Sequence, residues 1–120
     1  MILSYKDLKV YKKSYDLCIE MYKQTKSFPK DEQFGLISQI KRASTSIPLN
    51  IAEGYGKKSS AQEFKRFLLM ALGSCNEMEV LLNISKDLGF MELDAFEKLS
   101  REYEEVAKML NVLISKWKKY

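Results

Sequence analysis

The chain has 120 residues, 46% hydrophobic and 30% charged, with 5 Gly, 2 Pro and a net charge of +4. That is enough for a single domain over residues 1–120 with one core, and so few breakers favour helix over sheet. Histidine is absent, which removes Ser-His and Cys-His nucleophile pairs and the imidazole metal ligand, so neither an enzyme nor a metal or cofactor site is expected.

No apolar run approaches 20 residues, and the opening MILSYKDLKVYKK lacks the basic-then-apolar order of a signal peptide. A cytoplasmic protein without a membrane partner is expected. Three short breaks, Ser27-Phe28-Pro29-Lys30, Gly54-Tyr55-Gly56-Lys57-Lys58-Ser59 and the stretch around Gly89-Phe90-Met91, divide the chain into four helical segments. Connections this short predict an all-α, antiparallel, up-down-up-down four-helix bundle.

The first helix is expected from Ser4 or Asp7 to Lys26. Leu8, Tyr11, Tyr15, Cys18 or Ile19, and Tyr22 recur at steps of three and four and form its predicted core face. Val10, Leu17 and Met21 fall on a second, outward stripe. The second helix, about Asp31 to Gly54, has an apolar face of Leu36, Ile37, Ile40, Ala43, Ile47 and Ile51, with Pro48 as an expected kink. Beside that face runs a polar stripe of Gln39, Arg42, Ser46, Asn50 and Glu53. Folding back near residues 55–59 sets Arg42 opposite Glu77, so a register-fixing polar network is expected; a ligand or nucleic-acid site is the other reading of the stripe.

The third helix opens on Ser60 and Glu63, a capping-box pattern, and stops at Gly89. Phe64, Phe67, Leu68, Ala71, Leu72, Cys75, Met78 and Leu82 form its inner face. Leu69, Gly73, Val80 and Ile84 form an outward stripe which, with Val10, Leu17 and Met21, predicts an interface for self-association. The fourth helix carries Phe96, Leu99, Tyr103, Val106, Leu110, Leu113 and Trp117 in a heptad seam. Cys18 and Cys75 lie on apolar stripes and are expected as buried free thiols.

The runs FPKDEQFGLISQIKRASTSIPLNIAEG and EFKRFLLMALGSCNEMEVLL resemble the small bacterial four helix bundle proteins, also called 23S ribosomal RNA intervening-sequence proteins. The likeness spans about Leu8 to Gly89, with Lys41 and Tyr11 standing where that family often has Arg and Trp. The resemblance implies a bundle assembled into a ring, a homopentamer. It also implies similarity to the accessory variability determinant proteins of diversity-generating retroelements, which associate with nucleic acid and reverse transcriptase.

Folding the helices back gathers charge. Lys6, Lys9, Lys12, Lys13, Lys57, Lys58, Lys65, Arg66, Lys116, Lys118 and Lys119 share one end with Asp7, Asp16, Glu53 and Glu63, eleven positive charges against four. The opposite end carries five positive charges against seven negative. Such an end attracts phosphate backbones without regard to sequence, and Tyr5, Tyr55, Trp117 and Tyr120 are candidates for stacking on bases. The expected function is a non-catalytic accessory protein that binds RNA or single-stranded nucleic acid. The alternative is a scaffold that engages a partner protein and no nucleic acid.

Overall fold

The computed structural model describes residues 2–117, which form four helices, α1 (Lys9–Gln24), α2 (Leu36–Tyr55), α3 (Ala61–Asp87) and α4 (Leu93–Lys116), and no strand. Each helix packs on its neighbours in the chain, and α1 also meets α4, so the four close around one core in a body 47 × 25 × 21 Å. The α2–α3 seam is the most extensive and the α1–α4 seam the least.

Local chemistry sets the helix ends. A single 3₁₀ turn, Tyr5–Asp7, precedes α1, its start capped by the Ser4 hydroxyl, which accepts from the Lys6 N–H at 3.1 Å. The Asp7 carboxylate accepts from the Leu3 and Ser4 N–H groups at 2.8 and 3.1 Å, and these bonds hold its carboxyl below the usual carboxylate range. α2 starts five residues later than Asp31. A 3₁₀ turn at Lys30–Glu32, entered through Pro29, takes the place of the first helical turn, and the Glu32 carboxylate accepts the Leu36 N–H at 3.2 Å across Gly35. At the start of α3 the Ser60 hydroxyl accepts the Glu63 N–H at 3.2 Å. Its end is a Schellman motif: Gly89 adopts φ +78°, the Phe90 N–H donates to the Ser85 carbonyl and the Gly89 N–H to that of Lys86.

The core contains the predicted faces of α2, α3 and α4. Ile40, Ala43, Ile47, Ile51, Phe64, Leu68, Ala71, Met78, Leu82, Tyr103, Val106 and Leu110 are fully buried. Pro48 sits buried within α2 and leaves the Ser44 carbonyl without its usual i+4 donor. Cys18 and Cys75 are free and buried, and burial pushes the Cys75 thiol up to about 12. α3 is long and apolar enough, by length and composition, to cross a membrane, although no uninterrupted apolar run marks it in the sequence. Its inner face packs on α2 and α4 in the shared core.

On α1 the predicted phase is rotated: Leu8 and Cys18 of the expected core face are buried and Tyr11 packs against the core, but the rest of the assignment changes sides. Val10, Leu17 and Met21, assigned to the outside and to a self-association interface, are core residues, Met21 with no exposure at all. Tyr15, Ile19 and Tyr22, assigned to the core, are 49%, 43% and 40% exposed. The physical reason is the phenol hydroxyl. Leaving a buried phenol hydroxyl unpartnered is costly, whereas at the rim the Tyr22 hydroxyl reaches the Thr45 hydroxyl at 3.4 Å and the Lys41 ammonium lies over its ring. The aliphatic stripe has no such need and takes the interior.

Candidate nucleic-acid interface

Three segments distant in sequence meet at one end of the molecule. Trp117, after α4, packs edge-on against Phe64 at 4.6 Å and Tyr55 at 6.5 Å, which brings the end of α4 onto the α2–α3 turn. This corner is tight, because a Cβ on Gly54 would lie 2.7 Å from the Cβ of Phe67. Leu8, Lys9 and Val10 line one groove with Leu113 and Lys116, which adds the start of α1 to the same end.

The predicted basic residues divide into engaged and available. Lys13 is ion-paired with Glu102, and Glu105 lies 3.8 Å away. Arg66 donates to both carboxylate oxygens of Glu63 at 3.1 and 3.2 Å and stacks over Phe67. That pairing holds the Glu63 carboxyl below its ordinary range. Lys57 lies over the Phe67 ring and Lys58 over that of Tyr55. Lys9 and Lys116 flank the groove between α1 and α4, joined by Lys108, which the sequence reading missed because its place depends on how α4 rotates against α1. Lys12 and Lys6 border a depression of about 470 Å³ with Tyr11, Tyr15 and Asp16. Lys65 is partly exposed on the first turns of α3. Lys118, Lys119 and Tyr120 lie outside the described residues.

Of the aromatic candidates, Tyr55 is buried, and its T-shaped contact with Phe64 commits it to the core rather than to stacking on bases. Tyr5 is partly exposed and sets its ring against Tyr11 at 4.9 Å.

The polar stripe of α2 is joined in part. Arg42 donates to Glu77 at 2.9 Å, the pair expected across the α2–α3 hairpin, although both side chains are largely solvated. Ser46 donates to Ser74 at 2.5 Å, and the Asn50 amide donates to the Ser46 carbonyl within α2. Gln39 and Glu53 stand exposed on the same face, and their side chains make no hydrogen bond or ion pair among the described residues. The outward stripe of α3 is where the sequence puts it: Leu69, Val80 and Ile84 are exposed, and a side chain at Gly73 would meet nothing within 4 Å. Gly73, Val80 and Ile84 line a shallow depression of about 370 Å³.

No curated protein matches the chain. Among solved structures, it is similar to a protein of unknown function from the S23 ribosomal protein family of Bacteroides thetaiotaomicron. The two share 26% identity over 89% of this chain and 96% of the other, with a TM-score of 0.81. Residues 6–112 match the family described as 23S rRNA-intervening sequence protein. With the four-helix architecture and the match across nearly its whole length, the chain belongs to the 23S rRNA-intervening sequence protein family.

Proposed function

We propose that the protein is a non-catalytic, self-assembling RNA-binding accessory protein, an up-down-up-down bundle whose copies close into a homopentameric ring. The observation that carries the RNA reading is the meeting of the α1 start, the α2–α3 turn and the α4 end, which concentrates Lys6, Lys9, Lys12, Lys65, Lys108 and Lys116 without an ion pair on any of them among the described residues. Unpaired ammonium groups at one end supply a phosphate-binding surface whose affinity derives from counterion release. The antiparallel order is supported by the pairing of Phe28 with Phe90, across the first and third connections, at the end away from Trp117.

Self-association is supported by α3, apolar on two faces while only one meets the core. A second apolar stripe left facing solvent is normally covered by another apolar surface. Polarisation of a labelled structured RNA tests the binding: affinity should fall steeply and log-linearly with salt, and no binding at low salt overturns the reading. Light scattering tests the assembly: the wild type should scatter as an oligomer and a Val80→Lys, Ile84→Lys variant as a smaller species with unchanged helicity. A monomeric wild type at micromolar concentration removes the ring.

A further inference from the structure

We infer that an unpaired RNA strand docks along the first turns of α1, with bases on Tyr11 and Tyr15 and phosphates on Lys6 and Lys12. This rests on the RNA-binding reading and specifies the strand and its contacts.

The rotated phase of α1 creates the surface. With Val10 and Leu17 in the core, Tyr15 stands half-exposed, and Tyr11, one helical turn earlier, lies half-buried against the edge of the core with the rest of its ring at the surface. Tyr5 props Tyr11 edge-on at 4.9 Å, and the Tyr11 and Tyr15 rings stand 6.0 Å apart with a 38° tilt. The three phenols therefore form a continuous aromatic surface rather than isolated exposed rings. Their closeness also shows in the Tyr11 phenol, pushed up by burial and by its two tyrosine neighbours.

Aromatic faces become a nucleic-acid platform when cations track the backbone beside them. Lys6 and Lys12 line the same depression as Tyr11 and Tyr15; among the described residues neither ammonium makes an ion pair or lies over a ring, although Lys12 is near enough to Asp7 to help lower its carboxyl. They contrast with Lys13, one residue on, which is bound to Glu102. Phosphate is the anion these two groups leave room for. Pairing state selects the strand. Bases inside an RNA duplex have their faces covered by their neighbours, whereas the splayed bases of a single strand can lie on two rings 6.0 Å apart. Asp16, the carboxylate of the same lining, opposes the phosphates.

Polarisation titrations with a short unstructured RNA and with a blunt RNA duplex decide the matter. Tyr15→Ala should weaken the single strand about tenfold, with duplex affinity unchanged and Tyr15→Phe close to wild type. Asp16→Asn should tighten the single strand. Tyr15 is exposed, so circular dichroism should show unaltered helicity. Equal loss on both RNAs, or no loss with Tyr15→Ala, overturns the inference. A wild type that binds only the duplex also overturns it while leaving the RNA-binding reading intact; a wild type that binds neither RNA sinks both.

Discussion

α1 and α3 each carry apolar residues on two faces, and they resolve the surplus in opposite ways. α1 buries aliphatic side chains, Val10, Leu17 and Met21, and turns outward a stripe dominated by Tyr15 and Tyr22, whose hydroxyls meet water or Thr45. α3 buries its rings, Phe64 and Phe67, and turns outward Leu69, Val80 and Ile84, which have no polar atom to offer solvent. The difference teaches that two equally apolar stripes are not equivalent surfaces. A phenol is at ease half-exposed, with an apolar body and a polar tip, while a line of bare aliphatic chains gains only when another apolar surface covers it.

The largest effect that sharpens this contrast lies within α1. Met21→Ala should cost about 2–5 kcal/mol in urea unfolding, and Ile19→Ala, on the outward stripe, about 1 kcal/mol or less. Equal losses would contradict the phase of the helix. On the inner face of α3, the buried Cys75 thiol gives a pH signature. Its folded value of about 12 lies above the ordinary value of 9.0, so its contribution is fully present below pH 9. It declines as pH rises from 9 towards 12, because the unfolded chain releases the proton first. The full shift corresponds to on the order of 4 kcal/mol. Urea midpoints across that window should fall more for the wild type than for Cys75→Ala, and parallel curves would contradict the burial.

Gly54→Ala presses a methyl against the Phe67 Cβ at the α2–α3 corner and should cost about 1–3 kcal/mol; Gly73→Ala, facing open space on the α3 outer stripe, should cost nothing in the monomer or raise stability slightly. The smallest effect is at Tyr103, whose buried hydroxyl lacks a hydrogen-bond partner among the described residues. Tyr103→Phe should be neutral or stabilising by up to about 1 kcal/mol, measured as a small upward shift in Tm.

Much of the fold was legible because α3 and α4 keep strict steps of three and four between well-defined ends. Ser60 and Gly89 mark the ends of α3, and only one rotation of α4 buries Leu99, Tyr103, Val106 and Leu110 together. The Arg42–Glu77 pair followed from counting residues back through a short turn. α1 was misread because periodicity gives a stripe but not its direction, and both stripes satisfied it. The usable signal was chemical: three tyrosines interleaved with Lys6, Lys9 and Lys12 suit a rim, and Val, Leu and Met suit an interior. The candidate site was legible as a sum of charges but not in its parts. That Lys13 is ion-paired, and Lys12 makes no ion pair among the described residues, depends on the rotation of α1 against Glu102 of α4, a contact between residues far apart in the sequence. Lys108 entered the site for the same reason.

The unequal seams carry a consequence for motion. α2 and α3 interlock along their length and at Gly54, while α1 meets α4 over the sparsest contact, above a groove of about 380 Å³. Local opening follows the thinnest packing. The molecule should breathe by lifting α1 from α4, with amide exchange slowest along α2 and α3 and fastest toward the start of α1. The helix that bears the tyrosine surface is thus also the one freest to adjust to what lies on it.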